Sequence, residues 1–129
     1  MIAALEDAGL APSDVVYVNA HGTGTQQNDV SEARGIRVAL GDAADRAYVG
    51  STKSMMGHLV AACGVVEAMV ALRAVTERIA PPSLNLDQPD PECPIRLVPG
   101  QATPLEPGVG MSNAFGFGGS NASVVLEAP

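Results

Sequence analysis

Two short runs, VVYVNA (residues 15–20) and AYVGS (47–51), are apolar almost without interruption rather than at alternate positions. A strand with one face in water alternates, so these two must be covered on both faces. That requirement selects a sheet with helices on each side, an α/β architecture. Between the two runs, Asp29-x-x-Glu32 has the pattern of a capping box, with Ala33, Ile36 and Leu40 on one helical face and Gly41 as the stop. A helix placed there is the crossover that two parallel strands need. Upstream, IAALEDAGL predicts a short helix closed by Gly9.

Residues 58 to about 77 predict a helix that is apolar nearly all round, the pattern of a helix lying inside a molecule. Eight of the ten prolines fall between Pro81 and Pro107, an extended connection holding one short strand, IRLVP. The last stretch, VGMSNAF–GFGGSN–ASVVLEA, predicts two antiparallel strands joined by a glycine-rich turn. Five strands, near 15–20, 47–52, 95–98, 109–115 and 122–127, are thus expected in one mixed sheet with helix 58–77 across one face. No repeat or linker divides residues 1–129, so one domain is expected.

Composition narrows the function. A net charge of −7 and a pI near 4.5 argue against nucleic acid or an anionic membrane surface as partner. The apolar run from Leu59 is interrupted by Glu67 and Arg73, too soon for membrane insertion. Cys63 and Cys93 are too few for a disulfide scaffold, which makes a reducing cytoplasm the expected compartment. His21, His58, Cys63 and Cys93 show no paired ligand spacing, so no metal site is expected.

Three stretches carry chemistry. AHGTGTQQND (20–29) directly follows the first strand, where open α/β sheets place their sites. His21 emerges there, beside Thr23 and Thr25; the same residues also make an ordinary turn. STKSMMGH (51–58) holds Lys53, the only lysine beside six arginines, five residues before His58. If the helix begins near Gly57, His58 occupies its first turn, where the dipole favours a neutral imidazole. Glu67 lies inside that helix and, if buried, needs a cationic partner, for which Lys53 is at hand; the plain alternative is a helix-start histidine and a solvated glutamate. NAFGFGGSN (113–121) is a glycine loop without the pattern of a phosphate cradle. Ser112 lies in a predicted strand rather than a nucleophile elbow, against a serine hydrolase. Its glycines serve either a hairpin turn or close approach to a ligand.

In this order and combination, VNAHGTGT, STKSMMGH with the helix through Glu67, PPSLNLDQPDPEC and NAFGFGGSN resemble the C-terminal half of a β-ketoacyl-acyl-carrier-protein synthase, of the thiolase-like superfamily. The resemblance covers essentially the whole chain. It implies the C-terminal half of a layered α/β fold, its five-stranded sheet in the order 3-2-1-4-5 with the last strand antiparallel. It also implies a decarboxylative Claisen condensation of an acyl thioester with malonyl-carrier protein, in fatty-acid or polyketide synthesis. His21 and His58 then correspond to the two active-site histidines, Lys53 to the lysine that orders the site and Glu67 to its ion-pair partner. Thr23 and Thr25 correspond to contacts of the pantetheine arm, Phe117 to the gating phenylalanine and Asn121 to a pocket asparagine. His21, His58 and Phe117 are accordingly expected to converge on one pocket.

The resemblance implies no bound cofactor, since substrates ride on the phosphopantetheine arm of acyl carrier protein. It implies a homodimer or heterodimer in the full enzyme. The family's nucleophilic cysteine stands in an N-terminal half that this chain does not contain. Cys63 is expected inside the helix after His58, and Cys93 in the proline-rich link, neither at a helix N-terminus that favours a thiolate. The chain is expected to be inactive alone, and to expose the outer face of its long helix. A non-catalytic subunit of the chain-length-factor type is the alternative.

Overall fold

The computed structural model describes residues 1–98 and 100–129; Pro99, the last residue of IRLVP, lies outside them. Eleven elements follow in chain order among the described residues: α1 (Ile2–Ala8), β1 (Val15–Asn19), α2 (Gln26–Leu40), β2 (Tyr48–Gly50), α3 (Lys53–Met56), α4 (Cys63–Glu77), β3 (Ile79–Ala80), β4 (Arg96–Leu97), β5 (Thr103–Pro104), β6 (Val109–Phe115) and β7 (Asn121–Leu126). The main sheet has the order β4-β2-β1-β6-β7. Its first four strands are parallel and β7 is antiparallel to β6. This is the expected 3-2-1-4-5 arrangement. A second, two-stranded sheet of β3 and β5 was not expected, because two-residue strands carry no periodicity.

Both faces of β1 are covered, as its unbroken apolar run demands. On one side Val15 and Val18 pack with Leu5 of α1 and with Ile36 and Leu40 of α2. On the other, Tyr17 packs with Ala71, Ala74 and Val75 of α4. The approach of α4 to the sheet is close at Gly110, where a Cβ would stand 3.0 Å from the carbonyl oxygen of Ala71.

Two helix starts differ from expectation. α2 begins at Gln26, capped by Thr25, so Asp29 lies in its first turn and Glu32 further in. The capping-box reading fails because the Glu32 carboxylate is engaged elsewhere, as described below. α4 begins at Cys63 rather than near Gly57. Residues 57–59 are irregular, Val60–Ala62 form a 3-10 turn, and Val60 stands at φ +52°. A β-branched residue in that region is strained, and such strain gathers at functional sites.

Candidate active site

Of the sequence-predicted residues, His21, His58, Lys53 and Glu67 come together at the carboxyl end of the sheet, whereas Phe117 and Asn121 stand apart, exposed. Asn19, the last residue of β1, is fully buried and ties three elements together. Its amide donates to the Glu67 carbonyl of α4 at 3.1 Å and to the Thr52 hydroxyl at 3.4 Å, while its carbonyl accepts the Thr52 N–H at 3.4 Å. Two residues on, the chain turns out of the sheet at His21. Gly22 is at φ +40°, and a Cβ there would lie 2.5 Å from the Cβ of Ser51, so only glycine passes this point. The Ser51 hydroxyl donates to the Gly22 carbonyl at 2.8 Å, fastening the loop to the end of β2.

Glu32 holds the His21 backbone. Its two carboxylate oxygens accept the N–H groups of His21 and Gly22, each at 2.9 Å, and Asn113 of β6 donates to the same carboxylate at 3.1 Å. Asn113 is in turn fixed by the Ser123 hydroxyl at 2.7 Å. Sequence reasoning missed both as site residues. Residues 109, 111, 113 and 115 share one face of β6 by strand alternation, the available signal for Asn113 and Phe115.

Lys53 and Glu67 form the expected ion pair, their side chains 6% and 2% exposed. The second carboxylate oxygen of Glu67 is buried without a partner among the described residues. The Tyr17 phenol is pushed far up by burial and then by the charge of Glu67.

The two histidine rings stand edge to face, centroids 5.6 Å apart at 86°. His21 is buried; His58 is exposed. Burial, and after it the Lys53 ammonium, lowers the pKa of His21 from its ordinary 6.5, so its ring is neutral near pH 7. His58 lies outside α4, so the helix dipole does not govern it. A backbone donor governs its tautomer instead: the Val60 N–H points at His58 Nδ1 at 3.0 Å. Nδ1 therefore accepts, and the proton of the neutral ring sits on Nε2.

Phe117 does not join the histidines. It is fully exposed in the glycine turn, where Gly118 and Gly119 take φ of +81° and +85° and Gly116 N–H closes onto the Ser120 carbonyl at 2.7 Å. That turn projects the ring outward, away from the sheet. The aromatic ring against His21 is that of Phe115, centroids 5.5 Å apart. Asn121 is also exposed, opening β7 opposite Phe115. Thr23 and Thr25, their hydroxyls 2.9 Å apart, line a cavity of about 580 Å³ together with Ser51 and Lys53. Cys63, expected within the helix, is its first residue, buried with Sγ 3.4 Å from His58 Nδ1.

A five-stranded mixed sheet in this order, with two facing histidines and a buried ion pair at its strand ends, defines a domain of the thiolase-like class. The family model "Beta-ketoacyl synthase, C-terminal domain" matches residues 1–87. The chain belongs to the β-ketoacyl synthase family. It is 49% identical over 124 residues to 3-oxoacyl-[acyl-carrier-protein] synthase 2 of Synechocystis sp., covering 96% of this chain and 30% of that protein. The protein of the same name from Coxiella burnetii is 46% identical over 123 residues, covering 95% and 30%. A type II polyketide ketosynthase, solved in complex with its acyl-carrier protein, superposes with a TM-score of 0.92 at 33% identity, covering 98% of this chain and 31% of that one. The chain thus spans about 30% of the length of the curated relatives it matches. No helix among the described residues is long and apolar enough to cross a membrane.

Proposed function

We propose that this chain supplies the decarboxylation half of a β-ketoacyl-acyl-carrier-protein synthase site. The carrying observation is the facing pair His21 and His58, with the proton of His58 held on Nε2 by the Val60 N–H. Cleavage of the malonyl C–CO₂ bond leaves its electron pair as an enolate, with negative charge on the thioester oxygen. Two neutral N–H donors from a pair of imidazoles are suited to that oxygen, and each such donor typically contributes a hundred- to a thousand-fold in rate, roughly. The enolate carbon then attacks an acyl thioester, whose thiolate leaves. The cysteine bearing that acyl group belongs to a segment outside this chain.

In this reading Thr23 and Thr25, which line the cavity, hold the pantetheine arm that delivers malonate, with acyl carrier protein as partner and the cytoplasm as setting. The reaction needs no bound cofactor, and a dimer of full-length enzymes is its expected assembly. The pathway served is fatty-acid or polyketide synthesis. Retention of both histidines and of the Lys53–Glu67 pair favours a condensing enzyme over a chain-length-factor subunit.

The test is a chimera in which residues 1–129 replace the matching segment of the Synechocystis relative. Condensation of acyl- and malonyl-carrier protein is expected, and His21→Ala or His58→Ala should each lower decarboxylation by roughly a hundredfold or more. A folded chimera without turnover overturns the reading.

A further inference from the structure

His58 has one further polar contact, and nothing in the mechanism above uses it. The Cys63 sulfur lies 3.4 Å from Nδ1, within the range of a sulfur hydrogen bond. The position opens α4 and is buried, whereas the ring it touches is exposed. A thiol beside an imidazole at a helix N-terminus invites comparison with an activated nucleophile, in which the ring takes the thiol proton. The backbone forbids that here. Nδ1 already faces the Val60 N–H at 3.0 Å, and a proton on Nδ1 would oppose that donor. The thiol must then be the second donor, sharing the Nδ1 lone pair with the backbone N–H. Val60 itself stands at φ +52°, a strained conformation for a β-branched residue, in the same segment that presents its N–H to the ring. The facing ring of His21 has its centroid 5.6 Å away, and its Nδ1 is buried and without a hydrogen-bond partner among the described residues.

We propose that Cys63 is a positioning residue for His58, its S–H donating to Nδ1 and so helping to keep the donor proton on Nε2, aimed at the substrate oxygen. The proposal rests on the condensing-enzyme reading only for the last clause; the hydrogen bond itself is independent of it. Cys63 is the one side chain among the described residues that hydrogen-bonds this ring, and it ties the ring to the rigid start of α4. The thiol stays a thiol. It carries no acyl group and takes no part in covalent chemistry.

The experiment reads the bond directly in the 129-residue chain. In a Cys93→Ala background a single thiol remains, and its S–H infrared band should stand below that of a free thiol. Magic-angle-spinning ¹⁵N spectra, which tolerate self-association, should show His58 with Nε2 protonated and Nδ1 as acceptor. In Cys63→Ala the Nδ1 resonance should move towards that of an unbonded acceptor nitrogen, and in Cys63→Ser it should return. An S–H band at the free-thiol position, or an Nδ1 resonance identical in all three chains, overturns the proposal. The infrared measurement leaves Cys63 in place, so it decides the matter even where a variant does not fold. None of these readouts requires turnover. Loss of the hydrogen bond and loss of the condensing function are therefore separately detectable.

Discussion

Lys53 and Glu67 place two full charges where water scarcely reaches, with side chains 6% and 2% exposed. Neither charge is tolerable alone. Lys53→Ala leaves a buried carboxylate unpaired and should cost about 3–5 kcal/mol in urea unfolding, while Lys53→Met with Glu67→Leu should recover most of that loss. Lys53→Arg should not rescue, since a planar guanidinium does not fit the space of a compact ammonium. That pair was legible in the sequence because the one lysine among seven cationic residues stands just before an apolar helix that carries an acid in its middle. His21 yields a second prediction at this scale. Its folded pKa lies below the 6.5 of an unfolded histidine, so the unfolded chain binds the proton first on acidification. The stability tied to the neutral ring is present above pH 6.5 and is lost as the pH falls through the folded value. An NMR titration of the His21 Cε1–H should give a midpoint below 6.5; a midpoint at or above it contradicts the burial argument.

Between single residues and the whole fold, the decisive contacts join one element to the next. Glu32 shows this most plainly, since a residue of α2 receives N–H groups from the loop after β1 and from β6. Glu32→Gln keeps the shape but turns one acceptor into a donor facing donors. It should cost about 1–3 kcal/mol, and loosen the backbone at His21 and Gly22, as hydrogen exchange at those two amides would report. Unchanged exchange there would mean that the loop is held by something else. The two central strands were legible because unbroken apolar runs demand cover on both faces, whereas the strand order came from the family resemblance and not from the pattern of residues. The role of Glu32 was not legible, because Asp29-x-x-Glu32 satisfies a local capping rule that the tertiary fold overrides. The start of α4 was misplaced for a similar reason. Leu59–Ala62 is apolar like the helix after it, so its composition hides the break at Val60, where φ is +52° and the N–H faces His58. Phe117 was named through the resemblance alone and stands exposed in the glycine turn, while strand alternation places Phe115, which the sequence reading did not single out, beside His21.

For the molecule as a whole, α4 decides behaviour in solution. Its inner face, with Glu67, Ala71, Ala74 and Val75, is buried on the sheet. Val65, Met69 and Leu72 follow one another at helical spacing on the opposite face, exposed by 63%, 65% and 36%, and Val60 just before the helix is exposed by 77%. Met55, Met56 and Leu59 carry apolar exposure up to His58. A stripe at i, i+4 and i+7 is the signature of a helix face that packs, yet no described residue covers this one. Monomers seldom tolerate a contiguous apolar patch beyond a few hundred Å², roughly. The chain alone should therefore self-associate, with a mass in sedimentation equilibrium that rises with concentration. Val65→Lys with Met69→Glu should abolish the association and leave the far-ultraviolet spectrum unchanged, because both side chains point away from the sheet. A parent chain that stays monomeric at all concentrations would show that the exposed face of α4 is stable in water by itself.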